Sequence, residues 1–134
     1  MTARAPALLF VYGTLQDPAR VEALIGAITR WRTVGSGSTR GRLYDVGSYP
    51  ALIRAPTRGT ASRSGDRVPG VLLELDAGAA ALKVLDRYEG VDEGVYERRR
   101  CRVTTAAGAN TVAWVYVYLQ PVTGLRRIVA WPPS

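Results

Sequence analysis

The pattern of hydrophobic and polar positions predicts a chain built mainly of strands, with two helices between them. An apolar run at Ala7–Tyr12 predicts a buried strand near the start. Apolar residues spaced three and four apart predict one helix over Pro18–Ile28 and a second over Ala77–Tyr88. The remaining strands are expected at Trp31–Val34, Gly41–Val46, Ala51–Arg54, Val68–Asp76, Tyr96–Thr105 and Thr111–Leu119.

Residues at the ends of these helices are typical of helix boundaries. Asp17 is the expected N-cap of the first helix and Pro18 its first residue. Asp76 is the expected N-cap of the second helix, and Gly90 is the glycine expected to end it.

Three segments between or after these elements lack a helical or strand period. Glycine and serine at Gly35–Ser38 predict a bend or bulge between two strands. Ala55–Arg67 is polar and contains glycine, which predicts a mobile loop. Pro121–Ser134 is expected to be a proline-rich tail.

The strand predicted at Thr111–Leu119 is apolar on both faces. Alternation places Trp114 and Tyr116 on one side, and Val115 and Val117 on the other. A strand covered on both faces is typical of a small barrel with helices packed against it.

Length and composition limit the chain to one domain over residues 1–134. It has 134 residues, of which 47% are hydrophobic, enough for one core and too few for two. No apolar run is long enough for a membrane span, and the run before Gly13 is too short for a signal-peptide core. A single cysteine, Cys101, excludes an internal disulfide, so we expect a cytoplasmic protein.

Charge and residue usage exclude several classes of function. With no histidine, a Ser-His or Cys-His nucleophile pair and a histidine-ligated metal site are both impossible. The net charge of +7 could attract nucleic acid, but the arginines are scattered apart from the run Arg98–Arg102. Members of that run alternate between faces of a strand, which favours a solvated surface over a nucleic-acid groove.

The turn after the first strand, Tyr12-Gly13-Thr14-Leu15, is the first candidate site. It presents free backbone N–H groups beside the start of a helix, and such groups bind anions. The residues alone leave an ordinary strand-to-helix turn as the alternative.

Glu89 is the second candidate, as a general base. Leu82 and Leu85 form the apolar stripe of the second helix, and continuing by four residues reaches Glu89. Desolvation and the negative end of the helix dipole would raise the pKa of a carboxyl placed there, which suits a general base near neutral pH. The alternative is that Glu89 lies beyond a frayed helix end and points to water.

Cysteine and tyrosine side chains are weaker candidates. We expect Cys101 to be a buried structural residue, because no histidine base is present. Five tyrosines could supply hydroxyl groups to a pocket, although strand tyrosines are first of all core residues. They are Tyr44, Tyr49, Tyr96, Tyr116 and Tyr118.

Several short motifs together resemble the gamma-glutamylcyclotransferase-like superfamily. In chain order they are Tyr12-Gly13-Thr14-Leu15, Gly41-Arg42-Leu43-Tyr44, Tyr49-Pro50-Ala51, Leu85-Asp86-Arg87-Tyr88-Glu89-Gly90 and Tyr96-Glu97-Arg98. The resemblance covers about Leu8 to Leu119, and its specificity comes from the order and spacing of the motifs.

The resemblance implies an α+β fold with a small mixed β-barrel flanked by helices. It also implies that Tyr12–Leu15 binds the α-carboxylate of a γ-glutamyl substrate and that Glu89 is the acid-base residue. The implied reaction releases 5-oxoproline and an amine, without cofactor or metal. Two other functions stay open: a non-catalytic member that binds a small acidic metabolite, and an RNA-binding module.

Overall fold

The computed structural model describes residues 5–54 and 66–133, which form an α+β domain. Its strands are β1 (Ala7–Val11), β2 (Trp31–Asp45), β3 (Pro50–Arg54), β4 (Arg67–Leu75), β5 (Tyr96–Thr105), β6 (Asn110–Tyr118) and β7 (Arg126–Ile128). Its helices are α1 (Pro18–Ile25) and α2 (Gly78–Glu89), and a short 3-10 turn covers Thr14–Gln16.

Five of the strands close into a barrel. The order is β2, β4, β1, β6, β5, and the ring closes where β5 pairs with β2. The contact between Leu9 of β1 and Trp114 of β6 is parallel, and the other pairings are antiparallel. β3 and β7 both pair with the last residues of β2, outside the ring. This architecture confirms the predicted mixed barrel flanked by helices.

The core lies on both sides of the barrel wall. One cluster fills the barrel and includes Phe10, Leu72 and Val115. The other joins the wall to the helices and includes Leu9, Leu85 and Tyr116. Neighbouring residues of β1 and β6 therefore belong to opposite clusters, as the alternation in β6 predicted.

Three differences from the predicted elements exceed a shift of one residue. Trp31–Asp45 is one long strand, because the predicted irregularity is a bulge between Thr33 and Gly35 that leaves pairing with β4 intact. α1 ends at Ile25, three residues early. The expected tail contains strand β7, since Arg126–Ile128 pairs with Tyr44 and its neighbours.

Three of the four helix-boundary predictions are confirmed, those for Asp17, Pro18 and Gly90, and one is wrong. Asp17 caps α1, its carboxylate accepting a hydrogen bond from Ala19 N at 3.1 Å. Gly90 ends α2 with φ of +79°, a left-handed conformation that glycine adopts without strain. Asp76 does not cap α2. Ala77 is the N-cap residue and supplies no side-chain cap. Its own N–H donates to Thr29 Oγ1 at 2.7 Å, and the N–H of Gly78, the first residue of α2, donates to the carbonyl oxygen of Ala5 at 3.2 Å.

The segment before β4 was expected to be a loop through Arg67. Residues 55–65 lie outside the described residues, and β4 already begins at Arg67. Pro69 is tolerated in β4 because β1 pairs with that strand only from Val71 onward. No helix in residues 5–54 and 66–133 has the length and apolar character needed to cross a membrane.

Candidate functional site

A narrow pocket opens where β1 ends and the chain turns toward α1. Its empty volume is about 320 Å³, the open mouth included. The pocket brings the predicted turn Tyr12–Leu15 together with Glu89, which lies 74 residues further along the chain than Leu15. The rest of its lining is Phe10, Val11, Tyr49, Pro50, Tyr96 and Tyr116.

The turn is held so that its amide groups remain unused. Gln16 Nε2 donates to the carbonyl oxygens of Tyr12, at 2.9 Å, and Trp131, at 3.0 Å. Among the described residues, the backbone N–H groups of Gly13, Thr14 and Leu15 have no backbone acceptor. The carbonyl side of the turn is therefore satisfied by protein, while its N–H side offers donors to an anion.

Gly13 is required here for close packing. A Cβ atom at this position would lie 2.7 Å from Pro50 Cγ and 2.9 Å from Pro50 Cδ. The pyrrolidine ring at the start of β3 therefore sits directly against the turn, and any side chain at position 13 would push the two apart.

Glu89 is the last residue of α2 and is half-buried. Burial raises the pKa of Glu89 to about 7. Among the ion pairs of the described residues, none involves Glu89. A carboxyl that titrates near neutral pH without a fixed cationic partner can accept and return a proton.

Three tyrosines of the pocket donate their hydroxyl hydrogens to protein acceptors. Tyr12 donates to the carbonyl of Tyr116, and Tyr96 to the carbonyl of Pro50. Tyr116 donates to Asp86 Oδ1 at 2.8 Å. Burial, with a contribution from the negative charge of Glu89, raises the pKa of all three well above the ordinary tyrosine value, so they stay neutral.

Asp86 and Arg98 support this wall of the pocket. Arg98 binds Asp86 with two hydrogen bonds, from Nε at 2.7 Å and from Nη2 at 3.1 Å. The sequence analysis missed this pair. Helical spacing places Asp86 one turn before Glu89, but it does not identify Arg98 as the partner of Asp86.

The other predicted candidates divide between the site and the rest of the fold. Tyr49 also lines the pocket, whereas Tyr44 and Tyr118 do not. Cys101 is buried in the barrel, and burial raises its thiol pKa, in keeping with a structural residue.

Outside the pocket mouth, a wider groove contains Thr14, Tyr49 and Glu89 together with Arg20 and Tyr88. The hydroxyl of Tyr88 contacts Thr14 Oγ1 at 3.0 Å and accepts a hydrogen bond from Arg20 Nη1 at 2.8 Å.

The arginine run on β5 has an aromatic neighbour that the sequence analysis did not place. The guanidinium carbons of Arg98 and Arg100 lie 4.3 Å and 4.9 Å from the ring centroid of Trp114. Two cations therefore stack on this indole, a contact that stabilises the wall formed by β5 and β6.

Comparison with known families agrees with the barrel fold. A family profile described as "Gamma-glutamyl cyclotransferase, AIG2-like" matches residues 9–131. The chain belongs to this family. The matched range includes the whole pocket lining, from Phe10 to Tyr116. No curated protein gives a significant match.

Solved structures show the same fold at low sequence identity. An AIG2-like protein from Mus musculus aligns with a TM-score of 0.73 and 23% identity, covering 94% of this chain and 88% of its own. A gamma-glutamyl cyclotransferase aligns with a TM-score of 0.65 and 17% identity, covering 92% and 70%. An uncharacterized protein from Pyrococcus horikoshii aligns with a TM-score of 0.56 and 16% identity, covering 92% and 86%.

Proposed function

We propose that this protein is a cofactor-independent gamma-glutamyl cyclotransferase that releases 5-oxoproline and an amine from a γ-glutamyl amine or peptide. The observation that carries the proposal is the meeting of two groups in one pocket. These are the unused amides of Gly13–Leu15 and the half-buried carboxyl of Glu89, whose pKa is about 7. The single buried cysteine favours the cytoplasm as the site of action.

The two groups match the two ends of the reacting part of the substrate. The N–H groups of the turn bind the α-carboxylate and so fix the glutamyl chain in the pocket. Glu89 then lies near the α-ammonium group, which must lose a proton before it can attack. Because the nucleophile is tethered to the carbonyl it attacks, orientation supplies much of the rate enhancement.

Proton transfer accounts for the rest of the chemistry. Glu89 takes one proton from the α-ammonium, and the free amine attacks the γ-carbonyl carbon. The bond between that carbon and the leaving nitrogen breaks as Glu89 returns the proton to the leaving nitrogen. The lactam nitrogen keeps one hydrogen, and the second proton it loses leaves with the product amine as an ammonium ion.

The test is a 5-oxoproline assay on a panel of γ-glutamyl compounds. The panel should include γ-glutamyl dipeptides, the isopeptide in which the ε-amine of lysine carries the γ-glutamyl group, and the anilide. Release of 5-oxoproline with an equal amount of amine supports the proposal. Binding of these compounds without release would favour the alternative, a member that binds acidic metabolites without turnover.

A further inference from the structure

The hydroxyl of Tyr116 has its single hydrogen committed to Asp86. An ionised carboxylate has no hydrogen to donate, so at 2.8 Å the phenol must be the donor and Asp86 Oδ1 the acceptor. Arg98 also binds both carboxylate oxygens of Asp86 through one guanidinium, which holds the side chain of Asp86 in place. The oxygen of Tyr116 can therefore offer only lone pairs to anything else that it meets.

Tyr116 shares its pocket with Glu89. Asp86 and Glu89 are three residues apart on α2, so their side chains project from neighbouring positions of the helix. Tyr116 lines the same pocket as Glu89, and the charge of Glu89 helps to raise the pKa of Tyr116. The two side chains thus border the same pocket.

We infer that the hydroxyl oxygen of Tyr116 accepts a hydrogen bond from the α-ammonium group of the substrate. Asp86 is the positioning residue, because it binds the hydroxyl hydrogen of Tyr116 and so leaves that oxygen as an acceptor. This inference rests on the proposed function and adds a ligand for the reacting nitrogen. The pocket then has a donor end at the turn Gly13–Leu15 and an acceptor end at Tyr116 and Glu89. Such polarity matches an α-amino acid group, whose carboxylate accepts and whose ammonium donates.

The inference is tested by measuring the affinity of two probes for variants that cannot turn them over. The probes are the γ-glutamyl amine with the highest turnover in the panel and its desamino counterpart, the same glutaryl amide without the α-ammonium. Both are titrated calorimetrically at pH 7 in a Glu89→Gln background, alone and combined with Tyr116→Phe. We expect Tyr116→Phe to weaken binding of the amine-bearing probe ~10- to 100-fold, the effect of a hydrogen bond to a charged group. Binding of the desamino probe should be unchanged.

A matched control is available on the same strand. Tyr118→Phe removes a hydroxyl from the same face of β6, two residues away, and Tyr118 does not line the pocket. It should leave the affinity of both probes unchanged. Asp86→Ala frees the hydroxyl hydrogen of Tyr116 to point into the pocket. We expect this variant to bind the amine-bearing probe more weakly and the desamino probe as before. If this variant does not fold, Tyr116→Phe still decides the inference.

The outcomes separate this inference from the proposed function. If Tyr116→Phe weakens the binding of both probes equally, the tyrosine has a purely structural role and the inference is overturned. Unchanged affinity for both probes would also overturn it. In both cases turnover by the wild type would still support the cyclotransferase proposal. If the wild type neither binds nor converts any γ-glutamyl compound, the proposed function and this inference fail together.

Discussion

Two carboxylates in this protein, Asp66 and Glu89, show how differently the fold treats a buried negative charge. Asp66 is 6% exposed and sits between two arginines, with Arg127 Nη2 at 2.8 Å from Oδ1 and Arg42 Nη2 at 3.3 Å from Oδ2. The hydrogen bond from Arg127 is the main cause of the lowered pKa of Asp66. Glu89 has no ion pair among the described residues, and burial raises its pKa to about 7.

The difference indicates what each group is for. Asp66 joins the last strand, β7, to β2, so its charge is used to hold the fold together. Glu89 costs stability when it is ionised, because nothing in the described structure compensates its desolvation. A fold retains such a group where the chemistry needs it.

The strongest test of this comparison is removal of the Glu89 carboxylate. Glu89→Gln keeps the size of the side chain but cannot accept the ammonium proton, so we expect 5-oxoproline release to fall ~100- to 10,000-fold. Asp92→Asn makes the corresponding carboxylate-to-amide change at an exposed residue three positions away and should leave the rate unaltered. Turnover by a folded Glu89→Gln protein at the wild-type rate would show that Glu89 is not the base.

The pH dependence of the rate sharpens the same point. The free enzyme needs Glu89 ionised, and its pKa is about 7. We therefore expect kcat/KM to rise about tenfold per pH unit below that value and to level off above it. A profile measured from pH 5 to 9 that is flat, or that has its midpoint near the ordinary glutamate value, would remove the reason for distinguishing Glu89 from other carboxyls.

Stability should respond to pH in opposite ways at the two carboxylates. The pKa of Glu89 is higher in the folded chain than the ordinary 4.5, so its contribution lowers the free energy of unfolding between pH 4.5 and 7. Across this pH range the free energy of unfolding falls by about 3 kcal/mol through Glu89. The folded pKa of Asp66 is below 3.8, so its stabilising contribution is lost only as pH falls below that value.

Chemical denaturation across pH 3–9 checks this assignment. Glu89→Gln should be more stable than the wild type above pH 7 and should lack the decline between pH 4.5 and 7. If the free energy of unfolding of Glu89→Gln declines over this range as it does in the wild type, another titrating group causes the decline.

The smallest expected effect is that of Asp66→Asn. Removing this charge leaves Arg42 and Arg127 without their shared acceptor, so we expect the melting temperature to fall by a few degrees at pH 7. Both arginines are partly exposed and can be hydrated, which limits the loss. Activity per folded molecule should be unchanged. A loss of activity that exceeds the loss of folded protein would contradict a purely structural role.

The sequence predicted the fold well where local chemistry determines it. Asp17 and Gly90 bound their helices as expected, since capping acts within a few residues. Asp76 is not the cap because α2 begins one residue later than predicted, with Ala77 as its N-cap residue, and the N–H of Ala77 donates to Thr29, 48 residues earlier in the chain. Strand β7 was missed because Arg126–Ile128 is short and its pairing with β2 depends on tertiary structure.

For the candidate site too, the features set by local sequence could be predicted and those set by tertiary contacts could not. Periodicity along α2 directed Glu89 toward the core, and the structure places it in the pocket with Tyr12–Leu15. The role of Asp86 could not be read from the helix alone, because its partners Arg98 and Tyr116 come from two later strands. The contact of Gly13 with Pro50 likewise joins segments whose proximity appears only in the folded chain.

Closure of the barrel also has a consequence for the order of folding. The ring closes where Gly37 pairs with Thr105, and nearly all of β4, α2 and β5 lies between them in the chain. Pairings that distant are slow to form, because the loop entropy is lost before the contacts are gained. Tyr96 of β5 and Pro50 of β3, which pairs with β2, both line the pocket, so its lining includes residues from both sides of the closing pairing and is complete only after closure. We expect ligand binding to appear late in refolding, after the helical signal.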